Sequence, residues 1–178
     1  INSTFDIAAC KHGLNMAIET ANILGLEQGA GEGVERWTAL IAKLPEYLLE
    51  GDGTLKEWSW TGLNENYDHR HTSHGYTVWP SYEINPEDPA TAGLVSAVQK
   101  AVDKRPDGWS QVNAHGNLML MYCDIRTKRA AEFGDRMLDL FTNRHFYNSM
   151  ATSHNAWHDV YNYDFINSIQ GHLIECIV

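Results

Sequence analysis

The side chains with the greatest capacity for chemistry are concentrated in residues 68–74, which read Asp-His-Arg-His-Thr-Ser-His. Arg70 and His71 are the strongest candidates for ligand contacts, because guanidinium and imidazole N–H groups donate to ligand oxygens while neighbouring side chains hold them in place. Arg70 has a structural alternative, since it could pair with Asp68 and fix the loop. The surrounding segment, residues 61–86, is polar, aromatic and irregular, which in a compact domain usually marks a functional loop.

Six tryptophans and eight tyrosines give the chain many flat apolar faces with polar edges. Such side chains pack against sugar rings while their N–H and O–H groups reach hydroxyls, and they also fill protein cores. Trp58, Trp79 and Trp109 are candidates for a sugar platform. The sequence does not distinguish this role from packing in the core.

A metal site is the alternative interpretation of the histidines. His69, His71 and His74 are close in sequence, and the spacing of His154 and His158 would place both on one helical face, as in some zinc sites. Two observations oppose it. The glutamate that follows the first histidine of a metalloprotease helix is replaced here by an asparagine, and the cation of Arg70 between two ligands would repel a metal ion.

Composition excludes several classes of protein. The chain has 178 residues, 13 basic and 23 acidic, for a formal net charge of −10. This deficit of basic residues argues against nucleic-acid binding through phosphates, and no apolar run is long enough to cross a membrane. The three cysteines form no CxxC pair and predict neither a disulfide framework nor a zinc ribbon. The first residues show neither an initiator methionine nor a signal-peptide pattern, so we expect an internal piece of a longer protein.

Apolar residues at helical spacing predict most of the elements. The expected helices cover residues 5–24, capped by Ser3 or Thr4; 33–44, ended by Pro45; a segment opened by Asp88 and Pro89; 110–123; a segment capped by Thr127; and a last helix from about 167. In the later helices the side chains expected to face inward are Trp37, Leu40, Ile41, Leu44, Leu94, Val95, Val98, Val102, Ala130, Ala131, Met137, Leu138 and Phe141. The turn signal at residues 51–53 predicts a small β-hairpin over about 47–60.

Helix after helix, joined by aromatic and histidine-bearing loops, predicts an all-α fold. The expected architecture is a barrel of antiparallel helix pairs whose loops line a cleft at one end. Such a barrel needs roughly twice this many residues. We therefore expect residues 1–178 to form a single partial domain that holds about the C-terminal half of the barrel.

Several motifs occur in an order that is typical of one enzyme family. They are Leu55-Lys56-Glu57-Trp58, His69-Arg70-His71-Thr72-Ser73-His74-Gly75-Tyr76, Trp79-Pro80, Gly108-Trp109-Ser110 and Tyr163-Asp164-Phe165-Ile166-Asn167. Together they resemble glycoside hydrolase family 95, the α-L-fucosidases with an (α/α)6 barrel. The histidine-rich block with its preceding Glu-Trp pair is the most specific part of the resemblance.

The resemblance implies removal of terminal α-L-fucosyl or related L-galactosyl residues with inversion. Inversion needs a carboxylic acid and a carboxylate on opposite faces of the sugar, about 6.5–9.5 Å apart. Asp164 would be the general base, and a glutamate upstream of this chain the general acid. Glu57 is a competing acid, with a positioning role as its alternative. Asp164 could instead cap the helix that begins near Asn167.

The remaining expectations concern ligands and location. The implied substrate-binding residues are Arg70, His71, His69, Trp58, Glu57 and Trp109, with no cofactor and no metal. The implied partners are an oligosaccharide or glycan substrate and the missing N-terminal part of the same protein. Because polymeric glycans are extracellular, we expect an extracellular or periplasmic protein. If the upstream acid has been lost, the alternative is a non-catalytic carbohydrate-binding protein.

Overall fold

The computed structural model describes residues 2–69, 71–105, 121, 123–127, 129–132 and 134–135, together with the backbone of 152–155 and 158–162. Helices make up most of the regular secondary structure of these residues. In chain order the elements are α1 (Thr4–Leu24), α2 (Gly33–Ile41), two short 3₁₀ helices (Ser73–Thr77 and Pro89–Thr91), α3 (Ala92–Asp103), β1 (Thr152–Asn155) and β2 (His158–Asn162). The helix-rich content agrees with the predicted all-α class. No described helix is long and apolar enough to span a bilayer.

Helix α1 begins with a capping box. The Ser3 hydroxyl accepts a hydrogen bond from the Asp6 N–H at 3.1 Å, and the Asp6 carboxylate accepts one from the Ser3 N–H at 2.8 Å. These bonds satisfy two N–H groups that have no partner within the helix, and they hold the pKa of Asp6 below its usual value. The helix ends at Gly25, whose φ of 65° suits glycine. The predicted helix and its Ser3 cap are confirmed.

Helix α2 is shorter than predicted, because residues 42–44 tighten into turns before Pro45. The Lys43 and Leu44 N–H groups donate to carbonyls three residues earlier, Leu40 and Ile41, at 3.0 Å each. Leu40 is 48% exposed, so its predicted inward orientation is wrong. The helix packs mainly against α1, which covers one face of its surface.

Helix α3 confirms the predicted stripe. Val95, Val98 and Val102 are buried, and Leu94 is partly buried. The Asp88 carboxylate accepts a hydrogen bond from the Ala90 N–H at 2.9 Å. The α-helix itself begins three residues later than Pro89, because residues 89–91 form a 3₁₀ turn.

The hydrophobic core lies where α1, α3 and the irregular segment 47–84 meet. Its buried members are Ile7, Ala8, Tyr47, Leu55, Val78, Ile84, Val95, Ala97, Val98, Ala101, Val102, Met121 and Ile125. Apolar burial of this kind is the main stabilising contribution to folding. The core therefore fixes the irregular segment against two helices, although that segment has little regular structure of its own.

The predicted hairpin over 47–60 is not confirmed. A turn at residues 51–53 is present, with one antiparallel bridge between Leu49 and Leu55. The Leu55 N–H donates to the Ala97 carbonyl of α3 at 3.1 Å, so α3 takes a backbone group that a longer strand ladder would use.

The described antiparallel pair lies later in the chain, where β1 runs against β2. His154 lies in β1 and His158 in β2, so the predicted shared helical face is wrong.

The segment between α3 and β1 is described only in part. Met121, Cys123 and Asp124 are helical, as are 129–132 and 134–135, and Thr127 accepts a hydrogen bond from the Arg129 N–H at 3.3 Å. Ala131 is exposed, contrary to prediction, whereas Ala130 is partly buried. Cys123 is disulfide-bonded, a single bond that the cysteine spacing did not predict. Met137, Leu138, Phe141 and the predicted last helix lie outside the described residues.

Candidate functional site

A cavity of about 340 Å³ opens beside the histidine-rich segment. Its described lining residues are Phe5, His71, Thr72, Ser73, Tyr76, Trp79, Pro80 and Met121. Most of the lining residues are aromatic or apolar, and the consecutive residues 71–73 add polar side chains. Flat apolar walls with a few placed polar groups are typical of small-ligand sites, sugar sites among them.

Two aromatic side chains join the start of α1 to the histidine-rich segment. Phe5, on the first turn of α1, meets Tyr76 edge to face, with ring centroids 5.1 Å apart. The Tyr76 hydroxyl lies 3.0 Å from the His12 Nδ1, one hydrogen bond further along the same helix. Trp79 and Pro80, joined by a cis peptide bond, follow the 3₁₀ helix Ser73–Thr77. The cavity wall is therefore built from two parts of the chain that are distant in sequence.

Gly75 sets how closely Met121 approaches this wall. A Cβ at position 75 would lie 2.1 Å from the Met121 Cε and 2.3 Å from its Sδ, far inside van der Waals contact. Glycine at this position therefore leaves room for the Met121 side chain, which contributes to the cavity lining.

Glu57 lies behind the cavity wall rather than in it. One carboxylate oxygen, Oε1, accepts a hydrogen bond from the Ser73 hydroxyl at 2.5 Å. Its backbone is also fixed, since the Glu57 carbonyl accepts from the Thr4 N–H at 2.8 Å and its N–H donates to Glu65 at 2.7 Å. Glu57 is therefore linked to the cavity lining by its hydrogen bond with Ser73.

Arg105 is a buried cation of this region, with a side chain 2% exposed. Its Nη1 donates to the carbonyl oxygens of Asn66 at 3.2 Å and His69 at 2.8 Å, and its Nη2 lies 3.8 Å from the Glu57 Oε2. Burial lowers the pKa of Arg105, and the charges of Glu57 and Glu65 oppose that effect. Arg105 thus fixes the loop before the histidine-rich block, the structural role that sequence analysis considered for Arg70. No pattern in the sequence indicated this role.

His74 is a core residue. Its side chain is 1% exposed, and neither ring nitrogen has a hydrogen-bond partner in the described part of the chain. Burial, and secondarily the nearby Arg105, lowers the pKa of His74 to about 3. The ring is therefore neutral at physiological pH.

The described residues do not favour the metal hypothesis. No group of three His, Cys, Asp or Glu side chains among them could hold a metal ion. His69, His71 and His74 do not converge, because His74 is buried in the core while His69 and His71 are exposed. The cation of Arg105 beside His74 would also repel a divalent ion.

The remaining predicted site residues take different positions. His71 lines the cavity. His69 is exposed, with its ring centroid 5.0 Å from that of His71. Trp58 is partly buried and forms a backbone bridge with Ser3, and it is not among the described lining residues. Arg70, Trp109 and Asp164 lie outside the described residues. Phe5 and Ser73 also belong to the wall and were not predicted to do so.

Replacing Arg105 should test its role in stability. We expect Arg105→Met to lower the free energy of unfolding by about 2–4 kcal/mol, because two carbonyls and a carboxylate lose a buried charged partner. Urea denaturation followed by circular dichroism measures this. Lys104→Met is the matched control: Lys104 pairs with Glu50 and Asp52 but is 33% exposed, so its loss should cost less than about 1 kcal/mol. Equal effects of the two substitutions would contradict the role of Arg105.

Comparison with known proteins agrees with the motifs found in the sequence. The chain matches the glycosyl hydrolase family 95 catalytic domain over residues 1–170 and belongs to this family. It is 32% identical over 110 residues to Alpha-L-fucosidase 2 of Arabidopsis thaliana. That alignment covers 61% of this chain and 13% of the plant protein, so the chain corresponds to a small part of that relative. The resemblance found in the sequence is confirmed.

Proposed function

We propose that the chain is part of a glycoside hydrolase that removes terminal α-L-fucosyl or closely related L-galactosyl residues from oligosaccharides or glycans. The observation that carries this proposal is the aromatic cavity whose lining also includes His71, Thr72 and Ser73. A sugar ring has apolar C–H faces and a polar rim, so the two kinds of wall match its two kinds of surface. Family membership and the named plant relative support the choice of fucose.

The proposed mechanism is inversion by two carboxyl groups. Asp164 acts as the base that activates water, and the general acid is a glutamate upstream of this chain. Glu57 is less suited to be the acid, because a general acid must reach the leaving oxygen and Glu57 is separated from the cavity by Ser73. Arg70 and His71 bind the sugar, with His69, Trp58 and Trp109 around them. No cofactor takes part.

We further propose that residues 1–178 are a single partial domain, the C-terminal part of an (α/α)6 barrel. The helix pair α1 and α2, which pack together, fits such a unit. The proposed location is extracellular or periplasmic. The disulfide at Cys123 supports this location, because such bonds persist mainly in oxidising compartments.

Turnover of an aryl α-L-fucoside tests this proposal. We expect the full-length protein to hydrolyse the fucoside and the isolated residues 1–178 to be poorly active or inactive, because one of the two carboxyl groups is missing from the fragment. An aryl α-D-glucoside is the control substrate. Robust turnover by the fragment would overturn the assignment of the acid and return Glu57 to that role. Binding of fucose without turnover by the full-length protein would identify a non-catalytic carbohydrate-binding protein.

A further inference from the structure

We propose that Ser73 is a specificity-determining residue that accepts a hydrogen bond from one hydroxyl of the bound sugar, and that Glu57 is the positioning residue that gives it this polarity. The inference rests on the proposed function, since it requires a hydroxyl-bearing ligand in the cavity. Ser73 lines the cavity and its hydroxyl also contacts Glu57.

The first step concerns the single proton of the serine hydroxyl. A serine hydroxyl has one donor and two acceptor lone pairs. Because a carboxylate oxygen such as that of Glu57 accepts hydrogen bonds, the short 2.5 Å contact between the Ser73 Oγ and the Glu57 Oε1 uses the serine proton. What Ser73 offers to a ligand is therefore its lone pairs.

The second step concerns the rigidity of Glu57. Both backbone polar groups of Glu57 are hydrogen-bonded, to Thr4 and Glu65. Its second carboxylate oxygen lies 3.8 Å from the buried Arg105, and the side chain is 16% exposed. The Thr4 hydroxyl also donates a hydrogen bond to the Lys56 carbonyl at 2.5 Å, which holds the residue before Glu57 against the start of α1. Glu57 is thus held in the orientation that takes the Ser73 proton.

Ser73 therefore selects ligands that can donate a hydrogen bond to it. A sugar hydroxyl opposite Ser73 can donate to it, whereas an ether, a methyl group or a fluorine cannot. Replacing that hydroxyl leaves the hydrogen bond to Ser73 unmade, so the ligand without the donor binds less tightly.

The experiment measures binding of methyl glycosides in which each hydroxyl is replaced in turn by fluorine or by hydrogen. Isothermal titration calorimetry on the full-length protein gives each Kd, starting with the α-L-fucosides. At the one sugar position whose hydroxyl donates to Ser73, replacement by fluorine and replacement by hydrogen should each weaken binding by about tenfold. Fluorine accepts a hydrogen bond but does not donate one, so a fluoro analogue that binds as well as the parent while the deoxy analogue does not would show that Ser73 donates, and would overturn the proposal.

Three variants assign the effect to Ser73 and Glu57. In Ser73→Ala the penalty at that position should shrink to within about twofold, since no acceptor remains. Glu57→Ala should reduce the penalty of the fluoro analogue, because the serine proton that Glu57 accepts is then free to be donated to fluorine, and an unchanged fluoro penalty would overturn the role of Glu57. Ser59→Ala, which removes a buried hydroxyl that has no hydrogen-bond partner in the described part of the chain, is the matched control and should keep the full penalty. A penalty unchanged by Ser73→Ala would overturn the proposal, as would loss of the full penalty in Ser59→Ala.

The outcomes separate this inference from the proposed function. Binding and turnover of fucosides without any Ser73-dependent penalty would overturn the inference alone. If fucosides are not bound but another monosaccharide is, its fluoro and deoxy analogues apply the same test to Ser73, and only the proposed fucose specificity is overturned. Failure to bind any monosaccharide would overturn both.

Discussion

Asp164→Asn should lower the turnover of an aryl α-L-fucoside by at least about 100-fold in the full-length protein, the usual scale for loss of a general base. The substitution keeps the shape and the helix-capping ability of the side chain but removes its capacity to take a proton. Circular dichroism and thermal melting should be unchanged. Asp164 lies outside the described residues, so this expectation rests on the resemblance of residues 163–167 to the family.

Azide rescue tests whether Asp164 acts as a general base or only caps a helix. Azide needs no deprotonation, so it should restore turnover of Asp164→Asn if the general acid is intact. Inversion predicts a β-azide product from the α-fucoside, and NMR of the product assigns it. An α-azide would contradict inversion, whereas near-normal activity of Asp164→Asn without azide would leave Asp164 as a helix cap.

Arg70→Ala and His71→Ala should each lower kcat/KM by about 10- to 1000-fold, equivalent to about 1–4 kcal/mol of transition-state binding. The physical reason is that the sugar ring flattens toward an oxocarbenium-like geometry in the transition state, and contacts that fit the flattened ring bind the transition state more tightly than the ground state. His71 lines the cavity, which supports a contact role.

Thermal melting provides the second measurement for these variants. A contact residue should leave the melting temperature nearly unchanged, because Arg105 already fixes the loop through the carbonyls of Asn66 and His69. Arg126→Ala is the matched control, since Arg126 is an exposed arginine paired with Glu87. A large loss of melting temperature with near-normal kinetics would assign Arg70 to the structure of the loop instead.

The sequence predicted those features of the helices that depend on residues close together in the chain. The capping box at Ser3 and Asp6 depends on residues three apart, and the buried stripe of α3 repeats at helical spacing, so both are visible in the sequence. The orientation of Leu40 was not predictable in the same way. Helical spacing shows that an apolar residue lies on a face, but the neighbouring elements determine whether that face is covered.

The cavity and its surroundings depend partly on contacts between residues that are distant in sequence, and these could not be predicted. His71 was predicted because its chemistry and its dense polar neighbourhood are both local. Arg105 was missed because its two carbonyl partners lie 36 and 39 residues earlier in the chain. Ser73 was missed because its hydrogen-bond partner, Glu57, lies 16 residues earlier in the chain. Such contacts are created by packing and leave no periodic pattern in the sequence.

The contact between Gly75 and Met121 has a consequence for how this enzyme family can diversify. A side chain at position 75 would displace the flexible end of Met121, which lines the cavity, while the hydrogen bond between Ser73 and Glu57 does not involve either residue. If the proposed sugar occupies this cavity, its size can therefore change separately from the hydrogen bonds proposed to orient it. Evolution, or an engineer, could use positions 75 and 121 to alter the accepted exocyclic group while the hydrogen bond from Ser73 to Glu57 stays in place.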